Sequence, residues 1–507
     1  MSSAPSRCFR SLQMLVGLLA VLIAIAGVAR AEVKLPALFS DHMVLQQDER
    51  VPIWGWAAEG EDVTVQFRGK KVRATARGGR WMAHLGKLRA GGPDNLTVSG
   101  SNTISISDVL VGEVWIASGQ SNMEWALRRA HQPEQDIAAA ADPQLRLFTV
   151  PKLKSDTPVN DVKSSWQLCT PETVAGFSAV AYYFARDLRK ARGVPVGVIH
   201  TSWGGSPAEV WLSQENLASN PDYKSNILDA YPAAYKRYDE SRVRYEKESA
   251  ELKSQGKTPG NPPRAPWKPA ELYNGMIAPL LPYAIAGAIW YQGESNASRA
   301  HQYRTLFPDM IANWRQAWGQ KDFPFLAVQL APFMKIKDQP AESDWAELRE
   351  AQWLATRALP RVGLAVITDV GEENDIHPTK KAPVGARLAL AARAIAYGEK
   401  VEYSGPVYKS MKIDGNRVVL SFDHVGGGLE ARGGELRSFA IAGADGKFAW
   451  AAARIEGDRI LVTSPEVSNP VAVRFGWADY PVVNLWNRAG LPAVPFRTDD
   501  FPMKTKP

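Results

Sequence analysis

A buried strand that ends abruptly on a serine constrains this chain more than any other feature. Val109-Leu110-Val111-Gly112-Glu113-Val114-Trp115-Ile116-Ala117 is mostly apolar and β-branched, the pattern of a strand covered on both faces. It gives way at once to Ser118-Gly119-Gln120-Ser121-Asn122-Met123. A serine on a tight turn at the carboxyl end of such a strand stands at the rim of the sheet, where open α/β sheets bind their ligands. There it can act as a nucleophile if a base lies within reach. Taken alone, a serine in that place is more often a polar turn before a helix. The rest of the chain decides between the two readings.

From about 108 to 400, strands alternate with helices. After the Ser121 strand come strand patterns over 195–199, 284–290, 323–330 and 363–368, separated by helical patterns over 179–192, 303–318, 345–358 and 383–397. Such alternation predicts a parallel sheet with helices on both faces. An insertion at about 213–270 carries a charged helical stretch, 235–255, that reads as a solvated face, and a Pro/Gly-rich loop, 256–269. Residues 32–107 and 401–507 read instead as short strands with turn signals, two β-rich segments resembling sandwiches that flank the α/β region. The run His424-Val425-Gly426-Gly427-Gly428 has the look of a glycine-rich oxyanion loop, but it sits in the β-rich tail and is more simply a turn.

The first 31 residues read as an address. Arg7 and Arg10 precede an apolar run from Leu12 to Val28, and Ala29-Arg30-Ala31 forms a cleavage site. The run is short for a membrane span, so cleavage and export are expected, to the periplasm or outside the cell, with no stable membrane insertion afterwards. The whole chain has 60 Lys+Arg and 53 Asp+Glu; without Arg7, Arg10 and Arg30 the balance is 57 to 53, a net of +4. That mild charge, with no dense basic cluster, argues against a nucleic-acid partner. Cys8 leaves with the signal, so Cys169 has no intrachain partner and stability must come from apolar cores. Two glycosylation sequons, at Asn95 and Asn296, are expected by chance alone.

Four strand ends of the central region carry polar clusters: 119–122, 201–206, 291–296 and 369–378. In a parallel sheet these ends share one rim, so residues far apart in sequence converge there. Acyl transfer needs a nucleophile, a base, a group that orients the base and donors for the oxyanion. Ser121 supplies the first and His377, followed by the rigid Pro378, the second. Asp375 can orient the imidazole. Gly204-Gly205 permit close backbone approach, so one of their N–H groups can face an oxyanion, and Gln292 can add a side-chain N–H.

These motifs, GQSNM, SWGGSPAEVW, WYQGESN and DIHP, resemble the four blocks of SGNH-type carbohydrate esterases, in particular the sialate O-acetylesterase-like family. The segments 38–46 and 491–498 resemble that family's ends, so the likeness spans nearly the whole mature chain. It implies a flavodoxin-like SGNH domain between β-rich segments, and a secreted enzyme that hydrolyses acetyl esters on sugars through an acyl-enzyme, without a metal or other cofactor. It implies Ser121 as nucleophile and His377 as base, with a glycine of the second block and Gln292 in the oxyanion hole and with Asn122, Glu294 and Asn296 in support. Many SGNH enzymes place the acid three residues before the histidine, where this chain has Asn374; Asp375 is favoured instead, with Glu294 and Asp369 as rivals. The substrate is an acetylated sugar or oligosaccharide: sialate, xylan or another hemicellulose. A glycan-binding protein without activity is the alternative of a different class. The sequence leaves the oligomeric state open.

Overall fold

The computed structural model describes residues 32–506; the signal-like segment 1–31 lies outside them. The central sheet contains β1 (Thr103–Gly119), β2 (Asp142–Thr149), β3 (Gln167–Cys169), β4 (Val196–Ser202), β5 (Gly287–Tyr291), β6 (Phe325–Val328) and β7 (Val362–Ala365). Its spatial order is β7-β6-β5-β1-β4-β2-β3, parallel throughout except for the β2–β3 pair at the edge. From β1 the chain builds β2, β3 and β4 on one side and then crosses to β5 on the other, which creates a switch point at the carboxyl end of β1.

Period-two alternation sends neighbouring residues to opposite faces. Val114 and Ile116 of β1 join one core, Trp115 and Ala117 the other. Helices α1 (Ser121–Glu124), α2 (Ala179–Arg192), α3 (Tyr231–Ser254), α4 (Ala300–Trp318), α5 (Asp344–Ala358) and α6 (Ala382–Ile395) follow in chain order. α4 and α5 cover the first face through Leu306, Trp314 and Leu348, and α2 and α6 the second through Phe184 and Leu388. α2 begins where the Ser178 side chain accepts from the Ala181 N–H and ends at Gly193, whose φ of 68° suits a residue without a side chain. This is the α/β fold class expected, with helices on both faces. Sequence reading missed β2, because Asp142-Pro143-Gln144-Leu145-Arg146 mixes polar and apolar residues near a sheet edge.

β1 continues past the α/β region. Its first half pairs with the strand Gly91–Ser99 and its middle with Val44–Gln46, so the N-terminal β segment and the central sheet share one strand and one core. The C-terminal segment forms two four-stranded sheets that face each other across a core of Val418, Leu420, Ile441, Val462 and Phe475. It docks on α5, where the buried Arg349 donates to the Ala478 carbonyl at 2.7 Å and Arg497 pairs with Glu350 at 2.9 Å. The glycines at 426–428 form a turn there. Helix α3 is largely exposed. Cys169 is free and buried, and burial pushes its thiol up to about 12, which leaves it unreactive. Asn296 is buried, so only the exposed Asn95 is open to a glycan. Among the described residues no helix is long and apolar enough to cross a membrane.

Candidate active site

The site begins where β1 runs out. Gly119 has a φ of 138°, and a Cβ there would fall 2.2 Å from the Tyr291 carbonyl oxygen, so glycine alone lets β1 and β5 close up at the rim. The Gln120 N–H donates to that same carbonyl at 3.0 Å, and the chain turns into α1 with Ser121 first. The Ser121 hydroxyl lies 2.8 Å from Nε2 of His377, 256 residues away in sequence. On the far side of the ring, Nδ1 is 3.3 Å from Oδ1 of Asp375. That same oxygen accepts from the His377 backbone N–H at 2.8 Å, which ties the loop into a tight turn. A carboxylate at Nδ1 assigns the ring proton to Nδ1 and leaves Nε2 to accept from the serine. Burial holds the imidazole below its ordinary value, against the opposing pull of Asp375. The ring is therefore a neutral base at neutral pH.

The other carboxylates are committed elsewhere. Asp369 makes a two-pronged bond to Arg387 at 2.6 and 2.8 Å. Glu294 is half-buried, accepts from Asn122 at 2.7 Å, and is raised above the ordinary carboxylate value by desolvation. Asn122 is the hinge pin of the site. Its Nδ2 donates to Glu294 and, at 3.0 Å, to the Ile376 carbonyl, while its Oδ1 accepts from the buried Lys381 ammonium. An ammonium only donates and a carbonyl only accepts, so the amide has one orientation. That orientation clamps the His377 loop onto α1. Burial pushes Lys381 down to about 7.

The second strand end comes in through Trp203, whose N–H donates to the Gly119 carbonyl at 3.1 Å. A Cβ on Gly204 would lie 3.2 Å from that of Ser121, so this glycine packs directly beside the nucleophile candidate. Gly205, with a φ of 76°, makes the turn. The Gly204 N–H is engaged: it donates to Oε2 of Glu124 at 2.7 Å.

Gln292 does not reach this place, contrary to expectation. Its Nε2 donates to Asn296 Oδ1 at 2.7 Å and to the Ser206 carbonyl at 3.3 Å, and its Oε1 accepts from the Tyr303 hydroxyl at 2.9 Å. Strand parity is the reason. Position 292 falls on the Trp290 face, beneath α4, where Tyr303 is buried. Asn296 is buried with it, accepting from the Ala208 N–H at 2.9 Å and donating to Glu209 at 3.0 Å. Both brace the second-block turn from below.

Sequence reading passed over several residues that line the site. Trp125 stacks on the His377 ring at 5.2 Å and 19°, with the Arg129 guanidinium 3.7 Å from the centroid of the Trp125 ring. Glu124 follows Ser121 by three positions, the helical spacing that shares a face, and that was the available signal. Lys381 had none. His200 also lines the cleft, but its Nε2 meets Ser202 at 2.6 Å rather than Ser121, and burial pushes it down to about 4. The cleft over Ser121 has a volume of about 710 Å³, and its walls include Trp125, Trp203, Arg128, Arg129 and Lys152. Such a volume accommodates a sugar unit and its neighbour. Among the described residues no cluster of three or more His, Cys, Asp or Glu is placed to hold a metal ion.

Residues 260–395 match the family described as carbohydrate esterase, sialic acid-specific acetylesterase. Sialate O-acetylesterase of Mus musculus is 29% identical over 510 residues, covering 91% of this chain and 93% of that protein. The Homo sapiens enzyme is 29% identical over 423 residues, covering 76% and 75%. Among solved structures, a carbohydrate acetylesterase from Xanthomonas citri superposes with a TM-score of 0.80 at 42% identity, covering 93% of this chain and 100% of that one.

Proposed function

This chain belongs to the sialate O-acetylesterase-like carbohydrate esterases, and from that premise we propose that it removes acetyl groups from sugars with Ser121 as nucleophile. The observation that carries the reading is the run Ser121 Oγ, His377 Nε2, His377 Nδ1, Asp375 Oδ1, spaced at 2.8 and 3.3 Å and open to the cleft. Ser121 passes its proton to Nε2 as Oγ attacks the acetyl carbonyl. Asp375 stabilises the imidazolium that forms. The carbonyl oxygen, now negative, is met by backbone donors beside the serine: the Gly204 N–H and that of Ser121, which has no partner among the described residues. The imidazolium gives its proton to the departing sugar oxygen. Water, activated by the same histidine, then frees acetate from the serine.

The cleft favours an acidic sugar. Arg128 and Arg129 line it, Arg129 lying over the Trp125 ring, and neither has a carboxylate partner among the described residues. A sialate carboxylate would satisfy one of them, and the indole of Trp203 offers a flat face to a pyranose. We propose further that the 1–31 segment directs the protein out of the cytoplasm. The test is acetate release from O-acetylated sialic acid, acetylated xylan and acetylated xyloglucan, by the wild type and Ser121→Ala. The expected result is release from sialate above the neutral glycans, abolished by the substitution. Preference for a neutral glycan would move the substrate to hemicellulose. Binding without release would identify a glycan-binding protein.

A further inference from the structure

The carboxylate of Glu124 occupies the donor that the reaction needs. Its Oε2 accepts from the Gly204 N–H at 2.7 Å, while its Oε1 accepts from the Lys152 ammonium at 2.6 Å. Gly204 itself packs on Ser121: a Cβ added to it would meet the Ser121 Cβ at 3.2 Å and Glu124 Oε2 at 3.3 Å. Both members of the ion pair are partly open to the cleft, with side-chain exposures of 34% for Glu124 and 43% for Lys152. A fixed structural carboxylate would be buried and held by several donors. This one has a single backbone donor and a solvent-exposed ammonium.

We propose that Glu124 is a gate: in the free enzyme it stands in for the oxyanion on Gly204, and the acyl oxygen of the substrate displaces it toward Lys152. The inference rests on the serine reading above. A negatively charged oxygen on an N–H beside the nucleophile has the charge and position that the tetrahedral intermediate will have. Lys152 already holds the second oxygen, so the displaced carboxylate keeps its counter-ion and swings without becoming an isolated charge. The gate keeps the Gly204 turn oriented and keeps other anions off the donor, the product acetate among them. Its cost falls on substrate binding, because a charge-assisted bond must be given up for each acyl group that enters.

The two residues of the pair make opposite predictions, which a merely structural role would not. Glu124→Gln replaces a charged acceptor with a neutral one, so KM for p-nitrophenyl acetate should fall by about fivefold, with inhibition by acetate tighter by a similar factor and kcat little changed. Lys152→Met removes the ammonium that draws the carboxylate away, so KM should rise and acetate inhibition should weaken. p-Nitrophenyl acetate is neutral, which keeps any direct role of Lys152 toward an acidic sugar out of the measurement. Should both variants move KM in one direction, or leave acetate inhibition unchanged while kcat falls, Glu124 is a brace of the Gly204 turn and the gate is overturned. Ser121→Ala in the same assay separates the two levels. If it stays active, the serine reading fails; if it is inactive while Glu124→Gln matches wild type, only the gate fails.

Discussion

Two strand ends of the central sheet are nearly alike as text and opposite in what they do. Gly119-Gln120-Ser121-Asn122 follows β1, and Gln292-Gly293-Glu294-Ser295-Asn296 follows its neighbour β5. Each is a polar cluster with a glycine, set at the same rim. After β1 the chain turns at once into α1, and Ser121 meets His377 over the cleft. After β5 the side chains of Gln292 and Asn296 turn under α4 and bond to one another, to Tyr303 and to the second-block turn. In the first cluster Ser121 faces the cleft while Gln120 and Asn122 are buried beneath it; in the second, Gln292 and Asn296 are both buried. Position at a strand end therefore says that a residue is near the chemistry. The face it occupies decides whether it takes part.

The contrast can be broken most forcefully at the serine. Ser121→Ala should fold as the wild type does and lose roughly 10⁴-fold or more in kcat on an acetyl ester. Near-normal turnover by the pure variant would place the nucleophile elsewhere. The acid comes next. Asp375→Asn should lower kcat by roughly a thousandfold with KM little changed, while Glu294→Gln costs far less. Asp375 raises the His377 pKa against burial, so its loss should also move the acid limb of the kcat/KM profile to lower pH, and the wild-type limb should itself fall below the ordinary histidine value. Asp369→Asn should leave kcat close to wild type and lower the melting temperature, because Arg387 loses a two-pronged partner. A larger kcat loss from Asp369→Asn than from Asp375→Asn would reverse the assignment.

A smaller effect sharpens the line between working and bracing amides. Asn122→Ala frees the Ile376 carbonyl and should cost about 10²-fold in kcat/KM through misplacement of His377. Gln292→Leu takes a partner from the Ser206 carbonyl and the buried Tyr303 hydroxyl, while Asn296 Oδ1 keeps the Ala208 N–H, and should cost about 2–3 kcal/mol of stability in urea titration, with kcat of the folded enzyme within about threefold of wild type. Equal kcat losses from the two would mean that Gln292 reaches the oxyanion after all.

The smallest effect concerns the second cleft histidine, His200. His200 sits at about 4 when folded and near 6.5 when unfolded. Between those values the unfolded chain binds a proton that the folded one refuses, so stability falls as pH drops through that window and is unaffected above it. The loss from pH 7 to pH 5 should be about 2 kcal/mol, and His200→Gln should flatten it. An unchanged slope would mean that some other group carries the acid sensitivity.

Much of this site was legible because its signals are local. A buried apolar run followed by Gly-Gln-Ser, and a histidine between Asp375 and Pro378, are patterns that a few consecutive residues carry. Helix α2 was readable to its ends for the same reason, with Ser178 before it and Gly193 after it. Asp375 could be preferred to its rivals from its place next to the histidine, although Arg387, eighteen residues from Asp369, is what removes that rival.

What the sequence determined by itself is whatever depends on neighbours along the chain: the alternation of strand and helix, the strand ends that share a rim, and the serine and histidine set there. What only the tertiary structure decided is which distant partner each polar atom meets. Lys381 lies 259 residues from Asn122, yet its ammonium orients that amide and, through it, the His377 loop. The Gln292 amide, offered by sequence to the oxyanion, bonds instead to Asn296, Ser206 and Tyr303, because the parity of a strand is set by the core it packs against. The carboxylate of Glu124 on the Gly204 amide joins two strand ends 80 residues apart. A hydrogen bond acts over about 3 Å of space, and no local pattern encodes which far segment will fill it.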